Sequence, residues 1–364
     1  MERLLSVRLF FSRKFLCYTG FIQNSNKEDP SMATPKENFL RLLRNDNPTW
    51  LGDPWACNNP GAMCRAFSTD AVTLITGIQP GQMGVKNMWG VTMDWPEGQA
   101  GAIPHVTEEN KVLKDITQWR EVIHFPDIDE LPWHVTDHMD PPKDPDKLVM
   151  VPSFVGLFEF SHFLMGFEDA LMNYLEEPEE MSALLGAYAE WKTKMLDKVI
   201  DHLHPDIIHM HDDWGNKNNL FIPPYAWREV IKPHYVKMVQ HLKSRGVLVQ
   251  LHNDSVSSVI AEDMVEIGFD MWQGVLPQDD IPGIIEKTQG KLFLMGGIDM
   301  QKIDFPEATQ EMVDAEVQRC LDTYMPLGHY MPCITSIFAV HPNVDAMLID
   351  AMNRLGAEYA AKHF

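Results

Sequence analysis

Residues 206–215 read DIIHMHDDWG. A short run of β-branched and apolar residues, long enough for one strand and too short for a helix, stops at two adjacent carboxylates, an indole and a glycine. The same pattern recurs on the C-terminal side. VLVQL at 247–251 runs into His252, Asn253, Asp254 and Ser255; KLFLM at 291–295 runs into Gly296, Gly297, Ile298 and Asp299; and the run 328–332 ends at Cys333. Strands that are apolar at successive positions are buried on both faces, as in parallel sheets. Further strand runs at 148–154 and 269–275 alternate with helical patterns at 163–174, 178–202, 224–244, 255–267, 281–288, 307–324 and 342–362. Consecutive strand–helix units of this kind predict an α/β fold, a (β/α)8 TIM-type barrel rather than an open sheet. In such a barrel every strand C-terminus opens on one face, so polar residues spread along the chain converge on one pocket. That arrangement reads as an enzyme.

Residues 32–364 form one barrel domain in this reading, with an N-terminal helix and loop extension. The helix covers 35–45, with Thr34 as N-cap and Pro35 at the first helical position. The stretch 46–110, rich in Pro, Gly, Asn and Trp, reads as loops and short strands over the barrel mouth. Residues 1–31 mix apolar side chains with Arg3, Arg8, Arg13 and Lys14. An organelle presequence and a poor secretory signal are alternatives; the preferred reading is a leader translated upstream of a true start at Met32. It lacks an apolar run long enough to span a bilayer.

The 364 residues carry Lys+Arg 30 against Asp+Glu 52, a net charge of -22. So acidic a chain is a poor partner for nucleic acid, whose phosphates need Lys and Arg, and electrostatics alone would not draw it to anionic lipid. Five scattered cysteines give no disulfide framework and point to a reducing, cytoplasmic setting. The 23 Met and 10 Trp are read first as core filling, with a pocket for a flat apolar ligand as the other reading.

Among the strand-end clusters, Asp212 and Asp213 cannot both point into the core; one at least faces the mouth, to hold a substrate N–H or act as an acid. The alternative is a helix cap. His252 and Asp254, at i and i+2, share a face of an extended segment and can reach one ligand or metal ion. With Cys333 at a later strand end, they would suit Zn²⁺ with one position open; the alternative is a hydrogen-bonded His and an inert thiol, with Asp254 capping the next helix. Glu159 follows the strand through Phe154 and could line the mouth or sit in a solvated helix turn. Asp299 lies at the Gly296-Gly297 turn. Of His209 and His211, only one is expected to face the interior, buried with a hydrogen bond.

Several segments together resemble the uroporphyrinogen decarboxylase superfamily: GLFE at 156–159, LMGFE at 164–168, DDWG at 212–215, PPYAWREVIKP at 223–233, Leu251-His252, and MGGID at 295–299. The resemblance runs from about Thr34 to the C-terminus and implies a (β/α)8 barrel with its site at the strand C-termini. True decarboxylases of the family carry an N-terminal Arg-Gln-Ala-Gly-Arg motif for the eight carboxylates of a tetrapyrrole. The corresponding stretch around Trp50 to Arg65, TWLGDPWACNNPGAMCR, offers one Arg and an added Asp53. The other branch, the corrinoid-dependent methyltransferases, resembles this chain in the DDWG segment and in a His after the same strand. In many of them a His-x-Cys and a later Cys bind zinc; His252 and Cys333 match, and Asp254 stands at the first Cys position.

The resemblance therefore implies a methyltransferase. It would move a methyl group from a small O- or N-methylated compound to the cobalt of a partner corrinoid protein. Zn²⁺ would sit on His252, Cys333 and Asp254, with Asp212, Asp213 and His252 as catalytic groups. Glu159, Asp299 and the indoles of Trp89, Trp214 and Trp272 would line the substrate pocket. A homodimer is the oligomer entertained. The competing reading is a metal-free decarboxylase acting on a porphyrinogen or smaller acid; a third is a barrel that binds without turnover.

Overall fold

The computed structural model describes residues 33–46, 48, 51–57, 78, 81–97, 102–131, 133, 143–336 and 339–364. The expected leader at 1–31, and most of the stretch around Trp50 to Arg65, lie outside these residues. Helix α1 (Pro35–Leu43) starts as the sequence predicts, and more tightly: Thr34 Oγ1 accepts from Glu37 N–H while Glu37 accepts from Thr34 N–H, a reciprocal capping box. Lys36 Nζ reaches Asp206, one residue before a barrel strand, at 2.6 Å, and Phe39 meets Phe293 with ring centroids 6.5 Å apart. Helix α1 thus sits at the N-terminal end of the sheet, opposite the chemistry-bearing face.

The loop extension holds a small antiparallel sheet of β1 (Val85–Lys86), β2 (Thr92–Asp94) and β3 (Ile103–Pro104). After the short helix α2 (Trp119–Val122), six strands form one sheet in sequential order: β4 (Met150–Ser153), β5 (Ile207–His211), β6 (Leu248–His252), β7 (Met271–Val275), β8 (Phe293–Gly297) and β9 (Tyr330–Cys333). Every pairing is parallel, and nearly every strand residue is buried. This is the α/β barrel architecture the alternating pattern predicts, with six strands among the described residues.

Between the strands run α3 (Leu157–Met165), α4 (Phe167–Glu176), α5 (Pro178–Leu203), α6 (Pro224–Val230), α7 (Lys232–Ser244), α8 (Ala261–Ile267), α9 (Ile281–Thr288), α10 (Met300–Ile303) and α11 (Gln310–Tyr324); α12 (Pro342–His363) closes the chain. Two expected single helices are each broken in two, the first at Gly166 and the second at Ile231, where Pro233 occupies the first turn of the new helix. The helix expected from Ser255 starts only at Ala261. Residues 253–258 are instead a buried polar turn, in which Asn253 Oδ1 accepts from Ser255 N–H and Asp279 accepts from the N–H groups of Ser257 and Ser258.

Register positions the site. Across β5, β6, β7, β8 and β9 one row runs His211, His252, Gln273, Met295, Met331. Directly paired residues of a parallel sheet point to the same face, so the row delivers two imidazoles and an amide side by side at the strand ends. Just beyond it, β7 bulges against β8 at Gly274, which has φ +99 and would place a Cβ 2.9 Å from the Asn253 carbonyl oxygen.

Candidate active site

The two histidines of β5 share a face, contrary to the expectation that only one of them turns inward. Side chains of a strand alternate, so i and i+2 lie together. His209 lies 5.7 Å from His252 ring to ring, and His211 stacks on His252 at 4.5 Å and 19°. His209 is the hydrogen-bonded interior residue: its Nδ1 meets Gln250 Oε1 at 2.6 Å, while the Gln250 amide nitrogen lies 3.0 Å from Met295 Sδ. Burial and the neighbouring His252 push its pKa down to about 3. His211 and His252 stand one layer nearer the mouth.

Carboxylates surround this imidazole pair. Glu159 Oε1 lies 2.9 Å from His211 Nδ1, and Asp213 Oδ2 lies 3.8 Å from His211 Nε2. Asp213 is oriented by Asp254, whose backbone N–H donates to Asp213 Oδ1 at 3.1 Å. Burial alone would lower His211, yet the charges of Glu159, Asp213 and Asp254 push it up to about 10. Burial would likewise raise Glu159, but the adjacent His211 holds it below the ordinary range. Burial and the charged His211 push His252 down to about 4; burial and the Asp213 carboxylate push Asp254 up to about 7. The site therefore carries a strongly negative field around its histidines. His162 joins from α3; burial lowers its pKa below the ordinary value, against the opposing charges of Glu159 and Asp213.

One group among the described residues brings three metal-ligating side chains together: single donor atoms of His211, Asp213 and His252 all lie within 4.8 Å of one another. Two imidazole nitrogens and a carboxylate oxygen are a fitting donor set for a divalent ion of the Zn²⁺ type. Cys333, expected as a ligand, sits elsewhere. It is fully buried, with Sγ 3.9 Å from Gln273 Nε2, and burial together with Asp53 pushes its thiol far above the ordinary range. His252, Asp254 and Cys333 do not meet as a three-ligand group.

The adjacent Asp212 and Asp213 divide, one to each side. Asp213 faces the histidines. Asp212 is wholly buried and accepts four hydrogen bonds: from the N–H groups of Phe158 (3.1 Å) and Glu159 (3.0 Å), from Trp214 Nε1 (2.7 Å) and from Tyr235 Oη (2.7 Å). It caps α3, the helix after β4, rather than the loop that follows its own strand. Burial and the Glu159 carboxylate push its pKa up to about 7 against these donors. Gly156 makes the approach feasible, since a Cβ there would lie 2.1 Å from Asp212 Cβ. The turn into α3 is held from behind: Val155 adopts φ +55, and its carbonyl accepts from Tyr188 Oη at 2.9 Å and from the buried Lys192 at 3.1 Å.

The expected indole walls are packed core. Trp89 lies among Phe125, Phe160, Tyr188 and Trp191 with centroids between 5.0 and 5.8 Å. Trp214 packs between Trp227 and Tyr235, and Trp272 donates its Nε1–H to the Asn253 carbonyl at 2.8 Å. Asp299 caps the short helix α10 through Gln301 N–H and lies 3.2 Å from Lys302 Nζ. It takes no part in the histidine cluster.

The sequence model for uroporphyrinogen decarboxylase (URO-D) matches residues 56–348. The chain belongs to the uroporphyrinogen decarboxylase family. Among solved structures, a methyltransferase from Methanosarcina mazei superposes with a TM-score of 0.59 at 13% identity, covering 89% of this chain and 99% of that one. At that identity the likeness speaks for the URO-D fold alone. None of the curated proteins matches the chain. No helix among the described residues is long and apolar enough to cross a membrane.

Proposed function

We propose that this URO-D protein is a methyltransferase. It takes a methyl group from a small O- or N-methylated compound and passes it to the cobalt of a separate corrinoid protein. The observation that supports this reading is the His211–Asp213–His252 group at the strand C-termini, ringed by Glu159 and Asp254. In methyl transfer the C–O or C–N bond breaks, the methyl carbon leaves without the bonding pair, and the heteroatom keeps that pair and needs a proton or a cation. A bound Zn²⁺-type ion supplies Lewis acidity toward that heteroatom. The two histidines and Asp213 would hold it, and Asp254 is placed to orient or protonate the departing group. Asp212, turned toward α3, acts through the position of Glu159.

The carboxylate ring also favours this substrate class over a porphyrinogen. A ligand with eight carboxylates needs Arg forks, whereas the wall described here presents Glu159, Asp213 and Asp254. The test is a single-turnover assay with chemically reduced cobalamin and a panel of O-methyl and N-methyl donors, read as the absorbance of methylcobalamin. At least one donor should be demethylated, and His252→Ala should abolish it. No methyl transfer from any donor, together with coproporphyrinogen formation from uroporphyrinogen, would establish the decarboxylase reading instead.

A further inference from the structure

We propose that Glu159 and Gln273 are positioning residues that present Nε2 of His211 and Nε2 of His252, with the Asp213 carboxylate, as the ligands of one divalent metal ion, and that Cys333 stands outside the ligand set. The inference deepens the methyl-transfer reading, but it concerns binding and is tested without turnover.

The argument is one of donors and acceptors. Gln273 Nε2 donates to the Ile334 carbonyl oxygen at 2.8 Å, and a carbonyl can only accept. That fixes the amide: its nitrogen faces Ile334, so Oε1 faces His252 Nδ1, with which it makes a short hydrogen bond. An amide oxygen can only accept, so His252 carries its proton on Nδ1 and keeps the lone pair on Nε2. On the other side, Glu159 Oε2 accepts from Gly156 N–H at 2.9 Å, and Oε1 lies 2.9 Å from His211 Nδ1, an ion-pair contact off the line of a hydrogen bond. This sets the Nδ1 edge of His211 beside a carboxylate and leaves Nε2 on the side of Asp213, where a metal ion would take the place of its proton.

The rings are stacked at 4.5 Å and nearly parallel, and their donor atoms converge with Asp213 inside 4.8 Å. His252 is held as metal-binding histidines ordinarily are, with its second ring nitrogen on a carbonyl-type oxygen, and His211 has the Glu159 carboxylate beside the same edge. Cys333 touches the same Gln273 from its amide side, 3.9 Å away, so it packs behind the lock and not among the ligands.

The experiment uses the full chain, stripped with a chelator and titrated with Zn²⁺ and with Co²⁺, with binding followed by calorimetry and metal content. One equivalent should bind to the wild type. His211→Ala, Asp213→Ala and His252→Ala should each abolish tight binding, and Cys333→Ser should leave it unchanged. The Co²⁺ spectrum should lack a thiolate-to-metal charge-transfer band. Glu159→Gln and Gln273→Met should weaken binding by about 10–100-fold while circular dichroism shows the fold retained. Nitrogen-15 spectra of the metal-free wild type should show the Nδ1–H tautomer at His252, which Gln273→Met should unlock. Loss of binding in Cys333→Ser, a thiolate band, the Nε2–H tautomer at His252, or no binding at all would each overturn the proposal. Binding as described without methyl transfer would leave this site standing and sink the proposed function alone.

Discussion

Replacing Asp212 tests whether this carboxylate is a keystone of α3 or a group of the mouth. Asp212→Ala removes the acceptor of four buried donors at once. Two are backbone N–H groups in the first turn of α3, worth about 1–2 kcal/mol as a cap. The other two, the Trp214 indole and the Tyr235 hydroxyl, cost about 1–3 kcal/mol each when left unpaired in the interior. The expected loss is therefore about 4 kcal/mol or more, a large part of a domain stability of about 5–15 kcal/mol. Asp212→Asn separates the oxygens. Oδ2 accepts from Phe158, Trp214 and Tyr235, and Oδ1 from Glu159 alone. An asparagine with its oxygen in the Oδ2 position keeps three bonds and opposes one donor with another, a cost of about 1–3 kcal/mol. Urea denaturation at neutral pH, with far-ultraviolet dichroism as the probe, gives both values. If Asp212→Ala loses less than Asp212→Asn, or both lose under about 1 kcal/mol, the carboxylate is not holding α3 and the assignment falls.

Two further outcomes follow from buried groups. Burial pushes Asp279 up to about 6 from an ordinary 3.8 despite the N–H groups it accepts from, so the folded chain binds its proton more tightly than the unfolded chain. The contribution of Asp279 to stability then falls as pH rises through about 4 to 6, by about 3 kcal/mol in all. Asp279→Asn should gain on the wild type across that window and hold a constant difference above it; a difference flat from pH 4 to 7 would refute the shift. Gly156→Ala should cost about 3 kcal/mol or more, because its Cβ would lie 2.1 Å from Asp212. Its urea midpoint checks this, and an unchanged midpoint would show that the α3 turn relaxes freely.

The fold could be read because its signals are local. Apolar strands and amphipathic helices alternate visibly, and α9 (Ile281–Thr288) appears with the bounds its pattern predicts. Where the reading missed, a signal other than apolar periodicity decided the structure. The apolar pattern continues through Gly166 and Ile231, but Gly166 takes φ +86 and Pro233 starts a new helix, both local breaks. The pattern from Ser255 looks helical, yet Asn253 and Asp279 capture the backbone N–H groups that a helix would have used. The indoles failed as pocket markers for a related reason. A tryptophan in a strand or first turn is ambiguous between core and mouth, and Trp214 and Trp272 find partners for their N–H groups inside.

The site was visible in a form that the residue-by-residue reading passed over. Two strands end in the same tripeptide pattern: His211-Asp212-Asp213 on β5 and His252-Asn253-Asp254 on β6. The strands pair in register with His211 opposite His252. Because side chains alternate, each pattern splits in the same way. The histidine and the final aspartate turn to the mouth, and the middle residue turns back to fasten the scaffold, Asp212 to α3 and Asn253 to the turn at Ser255. Gln273, the next residue in the register row, and Glu159, brought in by the turn that Asp212 secures, then close on the two imidazoles from either side. Hydrophobic patterning contains neither partner, since Gln273 depends on the pairing of whole strands and Glu159 on the turn into α3. A repeated His-x-Asp at neighbouring strand ends marks the candidate site when it is taken as a pair in register and not as two weak motifs.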